Sequence, residues 1–202
     1  MKVLKILGII FISLIAIVVV LGLIAPKNYQ VERSAVVPSK NKEVIFKNIS
    51  IWSEFIKWNP WSELDPNQKV TFKGAEGTVG SSYSWSGNDS VGVGEMTITK
   101  LVPNETVESD LHFIKPFESK NKTVMSMTPE ADGYKVTWQM RGSTPFPMNI
   151  MNLFISMDKM IGKDFEKGLN SLKEKSVKES EAATPPAEII PNDTDSTTKA
   201  KV

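Results

Sequence analysis

Residues 6–25 carry no charge and are almost all Ile, Leu, Val, Phe or Ala. At about 1.5 Å rise per residue such a run spans the roughly 30 Å of a bilayer core, so the pattern predicts a transmembrane helix. The alternative is a cleaved signal peptide, because Lys2 and Lys5 make a basic start. Signal h-regions, however, run to about 7–15 residues, and Pro26 directly follows the apolar run. Beyond it the period changes to two. Tyr29, Val31, Arg33, Ala35 and Val37 share one face and Gln30, Glu32, Ser34 and Val36 the other, predicting a strand that Pro38 stops. Ser39 is placed as the N-cap of a helix over residues 40–49, with Val44, Ile45 and Ile49 at helical spacing, and a shorter helix covers 51–56. Pro60 disfavours helix for Asn59 and ends it.

Six β-rich runs follow, at residues 70–73, 81–85, 94–101, 106–113, 123–127 and 134–140, separated by Gly-, Pro- and Asn-containing turns. Their short connections favour an antiparallel meander over a parallel sheet. After Pro147, apolar residues recur at Ile150, Leu153, Phe154, Met157, Ile161, Phe165, Leu169 and Leu172. That three-to-four spacing predicts one amphipathic helix of about six turns. Residues 176–202 contain no aromatic side chain and are rich in Glu, Thr, Pro and Lys, the composition of a disordered tail. The chain thus divides into an anchor (1–26), a domain (27–175) and a tail (176–202). An antiparallel sheet of about seven strands with one apolar face needs cover, and the helices at either end supply it, giving an α+β domain.

Charge narrows the function classes. With 24 basic against 23 acidic residues the net charge is +1, which argues against a nucleic-acid partner. No cysteine is present and one histidine, so disulfides, thiolate metal sites and cysteine nucleophiles are excluded. No carboxylate cluster has metal-ligand spacing, and no cofactor is implied. Lys2 and Lys5 ahead of the span are matched by Lys27 and Arg33 after it, and with the free amino terminus the balance leans to an extracytoplasmic domain. Asn48, Asn88, Asn104, Asn121 and Asn192 head glycosylation triplets, which matter only in a glycosylating pathway.

Candidate chemistry lies on the strand at 106–113. Glu108, Asp110 and His112 share one face, and a carboxylate beside an imidazole is a general acid/base pair. Val107, Ser109, Leu111 and Phe113 make the opposite, more apolar face, which is expected to turn inward and leave the acidic triplet in water. Trp58 and Trp61, near Trp52 and Phe55, form either an aromatic rim at a cavity mouth or lipid surface, or a packed core. Met96, Ile98, Met125, Met127, Trp138 and Met140 either line an adaptable apolar pocket or fill the core solidly. Gly92-Val93-Gly94 has no helix after it to hold a phosphate and is read as a turn or bulge.

Tyr-Gln-Val-Glu-Arg-Ser from Tyr29, Trp58-Asn59-Pro60-Trp61, the Gly92 to Ile98 stretch, Val136-Thr137-Trp138 and the helical stretch from Ile161 to Leu169 carry a resemblance. In that order they resemble the START-like, or SRPBCC, superfamily, near its polyketide cyclase/dehydrase and lipid-transport type. The resemblance implies a helix-grip fold, a curved sheet wrapped on a long C-terminal helix with a cavity for lipids or other apolar molecules between them. It makes Trp58, Trp61, Trp85, Met96, Ile98, Leu111, Phe113, Met125, Met127, Trp138, Met140, Phe154 and Met157 the candidate ligand-binding residues. The expected function is a membrane-anchored domain that binds a small hydrophobic ligand or lipid. The alternatives are a cyclase/dehydratase-like enzyme using Glu108, Asp110 and His112, and a ligand-free interaction or stress module. Nothing in the chain indicates an oligomeric state.

Overall fold

The structure is a computed structural model that describes residues 2–183. Strand β1 (Asn28–Val37) buries Val31 and Val37 and exposes Gln30, Glu32, Ser34 and Val36, the two faces that the alternation assigns. Helix α2 (Lys42–Ser50) begins later than predicted, because Asn41 and not Ser39 is its cap: Asn41 Oδ1 accepts from the Val44 amide at 3.1 Å. Ser39 Oγ instead accepts from the Asn41 amide at 3.1 Å and donates to Ser180 Oγ at 2.7 Å. Helix α3 (Trp52–Phe55) and a 3-10 turn (Pro60–Glu63) follow, the turn capped by Asn59 Oδ1 on the Trp61 amide at 3.2 Å.

Strands β2 (Lys69–Lys73), β3 (Ser82–Ser86), β4 (Val93–Val102), β5 (Thr106–Lys115), β6 (Ser119–Glu130) and β7 (Gly133–Ser143) run as a meander. The first strand joins beyond β7, so the seven-stranded antiparallel sheet has the order β1-β7-β6-β5-β4-β3-β2. Register shifts after Val93 and after Ile98 break the β4–β5 ladder, and such irregularities bend a strand. Gly92 stands at this bend with φ +70°, and the Lys115 carbonyl oxygen lies 2.3 Å from where a Cβ would be. The glycine pair is therefore a bulge.

Helix α4 (Met157–Ala183) lies across β1 and β7 and buries Phe165, Leu169 and Leu172, each worth roughly 1.5–3 kcal/mol of transfer free energy. Two expectations are corrected at its ends. The helix does not begin near Ile150: Met148–Leu153 is a separate 3-10 turn whose asparagines are bonded to the end of the first helix. Nor does the domain stop at residue 175. Ser176 is fully buried and accepts from Asn48 Nδ2 at 3.1 Å, so the helix continues to Ala183. The remaining tail, residues 184–202, lies outside the described residues. Asn48 and Asn121, two of the triplet asparagines, are buried and hydrogen-bonded, which leaves no access for a glycan.

Helix α1 (Lys2–Ile24) is long and apolar enough to cross a membrane, at about 35 Å. Its apolar side chains project away from the rest of the protein. Among residues 2–25, only Gly22 and Ala25 are buried.

Candidate ligand cavity

Between the sheet and α4, the inward face of β7 presents Trp138, buried at 2% exposure. Phe165 of α4 stacks on it, with ring centroids 4.2 Å apart and planes 10° from parallel. Gly168, one turn on, leaves room for this approach, since a Cβ there would meet Trp138 at 2.9 Å. The edges of Phe55, Trp58 and Trp61 close on the same indole at 5.9, 5.4 and 5.8 Å, near-perpendicular geometries that aromatic quadrupoles favour. On the same face of the sheet, further along it on β3 and β5, Tyr83, Trp85 and Phe113 form a second chain of rings, with centroids 5.3 and 5.8 Å apart. Apart from Trp58, the rings of both chains line one cavity.

The cavity has a volume of about 180 Å³. Its wall is mainly apolar, with Met96, Leu111, Met140, Val70, Val91 and Ile161 beside the rings, and its polar members are Asn59, Ser62, Gln68, Ser90 and Thr123. Burial raises the Tyr83 phenol well above its ordinary value, against a smaller opposing effect of a hydrogen bond with Asn59, so it stays protonated and donates to Met96 Sδ at 3.6 Å. Three tryptophan donors are engaged with carbonyls: Trp52 with Ser81, Trp58 with Asn48 and Trp85 with Val91. Trp138 Nε1–H is buried without a partner among the described residues.

Of the candidate ligand-binding residues, Trp61, Trp85, Met96, Leu111, Phe113, Trp138 and Met140 line this cavity. The others do not. Trp58, Ile98, Met125 and Met127 are solid core: Met125 and Met127 stand opposite Trp138 and Val136, displaced along β6 from Thr123, the residue of that strand at the cavity wall. Phe154 is 79% exposed because the helix it was assigned to starts three residues later, and Met157, at that start, packs on the core margin. The candidates omitted Tyr83 and Phe165, and Phe55, which was placed only beside the aromatic rim, also lines the cavity. The signal for Tyr83 was its position two residues before Trp85 on one strand face.

Glu108, Asp110 and His112 lie on the outer face of β5, in an open depression of about 980 Å³. There Lys100 Nζ bonds Glu108 at 2.8 Å, Lys122 lies 3.6 Å from Asp110, and His112 Nε2 is 3.1 Å from Glu118. The imidazole is thus partnered by Glu118 and not by the triplet's carboxylates. It is separated from the apolar cavity by the sheet.

A curved seven-stranded antiparallel sheet gripping a C-terminal helix over an apolar cavity is the α+β helix-grip fold. The sequence matches no protein-family profile and no curated protein. Among solved structures the chain is similar to Ara h 8.0201, at 10% identity and TM-score 0.53, covering 75% of this chain and 99% of that one. It is similar also to major latex-like protein 151 from Panax ginseng, at 11% identity and TM-score 0.51, covering 74% and 95%. A protein of unknown function from Staphylococcus aureus aligns at 11% identity and TM-score 0.56, covering 77% and 97%. At such identities the likeness speaks for the fold.

Proposed function

We propose that the chain is a membrane-tethered domain that binds a small apolar molecule between its sheet and α4. The observation that carries this reading is the aromatic cavity, mainly apolar and lined by no charged residue. Its volume limits the ligand. At about 180 Å³ it is close to the ~150 Å³ cavity that accepts benzene, and a whole diacyl lipid does not fit it. The ligand class is therefore a compact ring compound or a single short acyl segment. The unpartnered Trp138 Nε1–H favours one that carries a hydrogen-bond acceptor, since an unsatisfied buried donor costs about 1–3 kcal/mol.

Titration of the detergent-purified full chain with 1-naphthol, followed by tryptophan emission, tests this. Saturable quenching is expected, together with its loss in Leu111→Phe, which fills the cavity. Quenching that is absent, or unchanged in that variant, rejects the reading. The exposed apolar surface of α1 supports the tether, and the two lysines in its first turns support an extracytoplasmic domain. Protease added to intact cells is expected to remove the domain. Full protection would reverse the orientation.

A further inference from the structure

Residues 142–157 carry no charge, yet they stand between a polar strand end and a charged helix. Within them the Met148–Leu153 turn has two unlike sides. Its asparagines face the end of α1, whose last carbonyls lack helical donors. Asn149 Nδ2 donates to the Gly22 and Ala25 oxygens at 2.7 and 3.1 Å, and Asn152 Nδ2 donates to the Pro26 oxygen at 2.9 Å. The Thr144 amide donates to the Lys27 oxygen at 2.8 Å. Phe146 seals the joint: its ring lies where a side chain on Gly22 would be, 2.3 Å from the position of a Cβ. The other side is bare. Met148, Met151, Leu153, Phe154 and Ile155 are exposed, as is part of Phe146.

These bonds fix the depth of the turn. The uncharged run of α1 ends at Ala25 and the first charge after it is Lys27, so a membrane core of about 30 Å ends at that level. The turn is bonded to residues 22–26 and therefore sits where acyl chains give way to headgroups, the depth at which Phe and Leu side chains partition favourably. An exposed apolar cluster of this kind is uncommon on a protein surface that meets only water. We infer that the Met148–Leu153 turn, with Phe146, Phe154 and Ile155, is a membrane-surface contact that seats the domain on the bilayer α1 enters. The occupant is lipid because the cluster's height is set by its bonds to α1. The inference rests on the tether proposed above.

The chain has no cysteine, so single cysteines bearing an environment-sensitive fluorophore report cleanly. Labels are placed by Met151→Cys and Phe154→Cys, by Ile12→Cys within α1, and by Asp132→Cys on the β6–β7 turn. The last lies ten residues along β7 from the membrane end, about 33 Å away. The full chain is reconstituted in phosphatidylcholine vesicles. Quenching by a shallow doxyl-labelled lipid is expected at 151 and 154, and several-fold weaker iodide quenching there than at 132. If the label at 12 is reached by doxyl lipid while those at 151 and 154 behave like 132, the inference fails and the tether stands. Labels at 151 and 154 shielded from both quenchers mean a protein covers the cluster, which also overturns it. No lipid quenching at 12 removes the tether and this inference together.

Discussion

Gly94 is the residue on which the cavity wall turns, because the Trp85 ring occupies the space its side chain would need. An added Cβ would lie 2.4 Å from Trp85 Cζ2 and 2.8 Å from the His112 carbonyl oxygen. The backbone cannot yield as readily as the ring, so Gly94→Val pushes Trp85 into the cavity. We expect 1-naphthol quenching to fall at least about tenfold and stability to drop by about 1–3 kcal/mol, the usual cost of overpacking, read by titration and thermal melting. A second residue-scale consequence concerns Glu54. Lys175 Nζ bonds it at 2.8 Å and also bonds Asn48 Oδ1 at 2.7 Å and Glu179. That hydrogen bond from Lys175, with a further one from Lys57 and against the effect of burial, holds the Glu54 carboxyl down to about 2 from an ordinary 4.5. A depressed carboxylate stabilises the fold fully above its unfolded value and loses that contribution as pH falls towards the folded one. Melting temperature is therefore expected to fall between pH 4.5 and 2 more steeply in the wild type than in Glu54→Gln. Parallel acid limbs would refute the assignment.

At the scale of elements, α4 is fastened over the cavity by a strand residue that the alternation of β1 places inward. Arg33 bonds Glu166 Oε1 at 2.6 Å and Asp158 at 2.7 and 3.1 Å, and Gly162 leaves the space its guanidinium occupies. Asp158 first, then Glu166, hold the guanidinium charged, and Arg33 in turn lowers Asp158. The cluster is open to solvent, so its worth to global stability is small. Its effect is local. Arg33→Ala is expected to speed amide exchange over residues 157–165, beside Ile161 and Phe165 of the cavity wall, while exchange over 168–180 and the melting temperature stay near wild type. Uniform exchange along α4 would show that Arg33 does not fasten it. The strands and their faces were legible because a period of two survives in Val31, Val107, Leu111 and Trp138. The start of α4 was not, because Ile150, Leu153 and Phe154 continue the helical spacing in phase. Periodicity cannot register that Asn149 and Asn152 are bonded to another element. The cavity was legible only in part for a related reason. Alternation says which face a side chain takes and not how far along the sheet a void extends, so Met125 and Met140 read alike although only Met140 borders it.

For the whole molecule, the question is whether the domain swings on α1 or is held to it. Only residues 25–27 separate α1 from β1, and Asn149, fully buried, spans the joint with two hydrogen bonds to α1 carbonyls. A flexible tether would leave those carbonyls to water. Here side-chain amides satisfy them, so α1 and the domain are expected to move as one body and, under the tether proposed above, the cavity to keep a fixed attitude to the membrane normal. Asn149→Ala removes both bonds, each worth about 1 kcal/mol net, while also removing an Oδ1 that has no partner among the described residues. Its cost to the core is therefore slight and its cost to the joint is large. With the reporter at Asp132→Cys in the reconstituted chain, time-resolved anisotropy is expected to show slow, whole-body rotation in the otherwise unaltered protein and an added fast wobble in the Asn149→Ala background. The melting temperature of the domain should stay close to wild type in both. If the two decays coincide, the covalent linker alone sets the attitude of the domain, and the asparagine bonds are incidental to it.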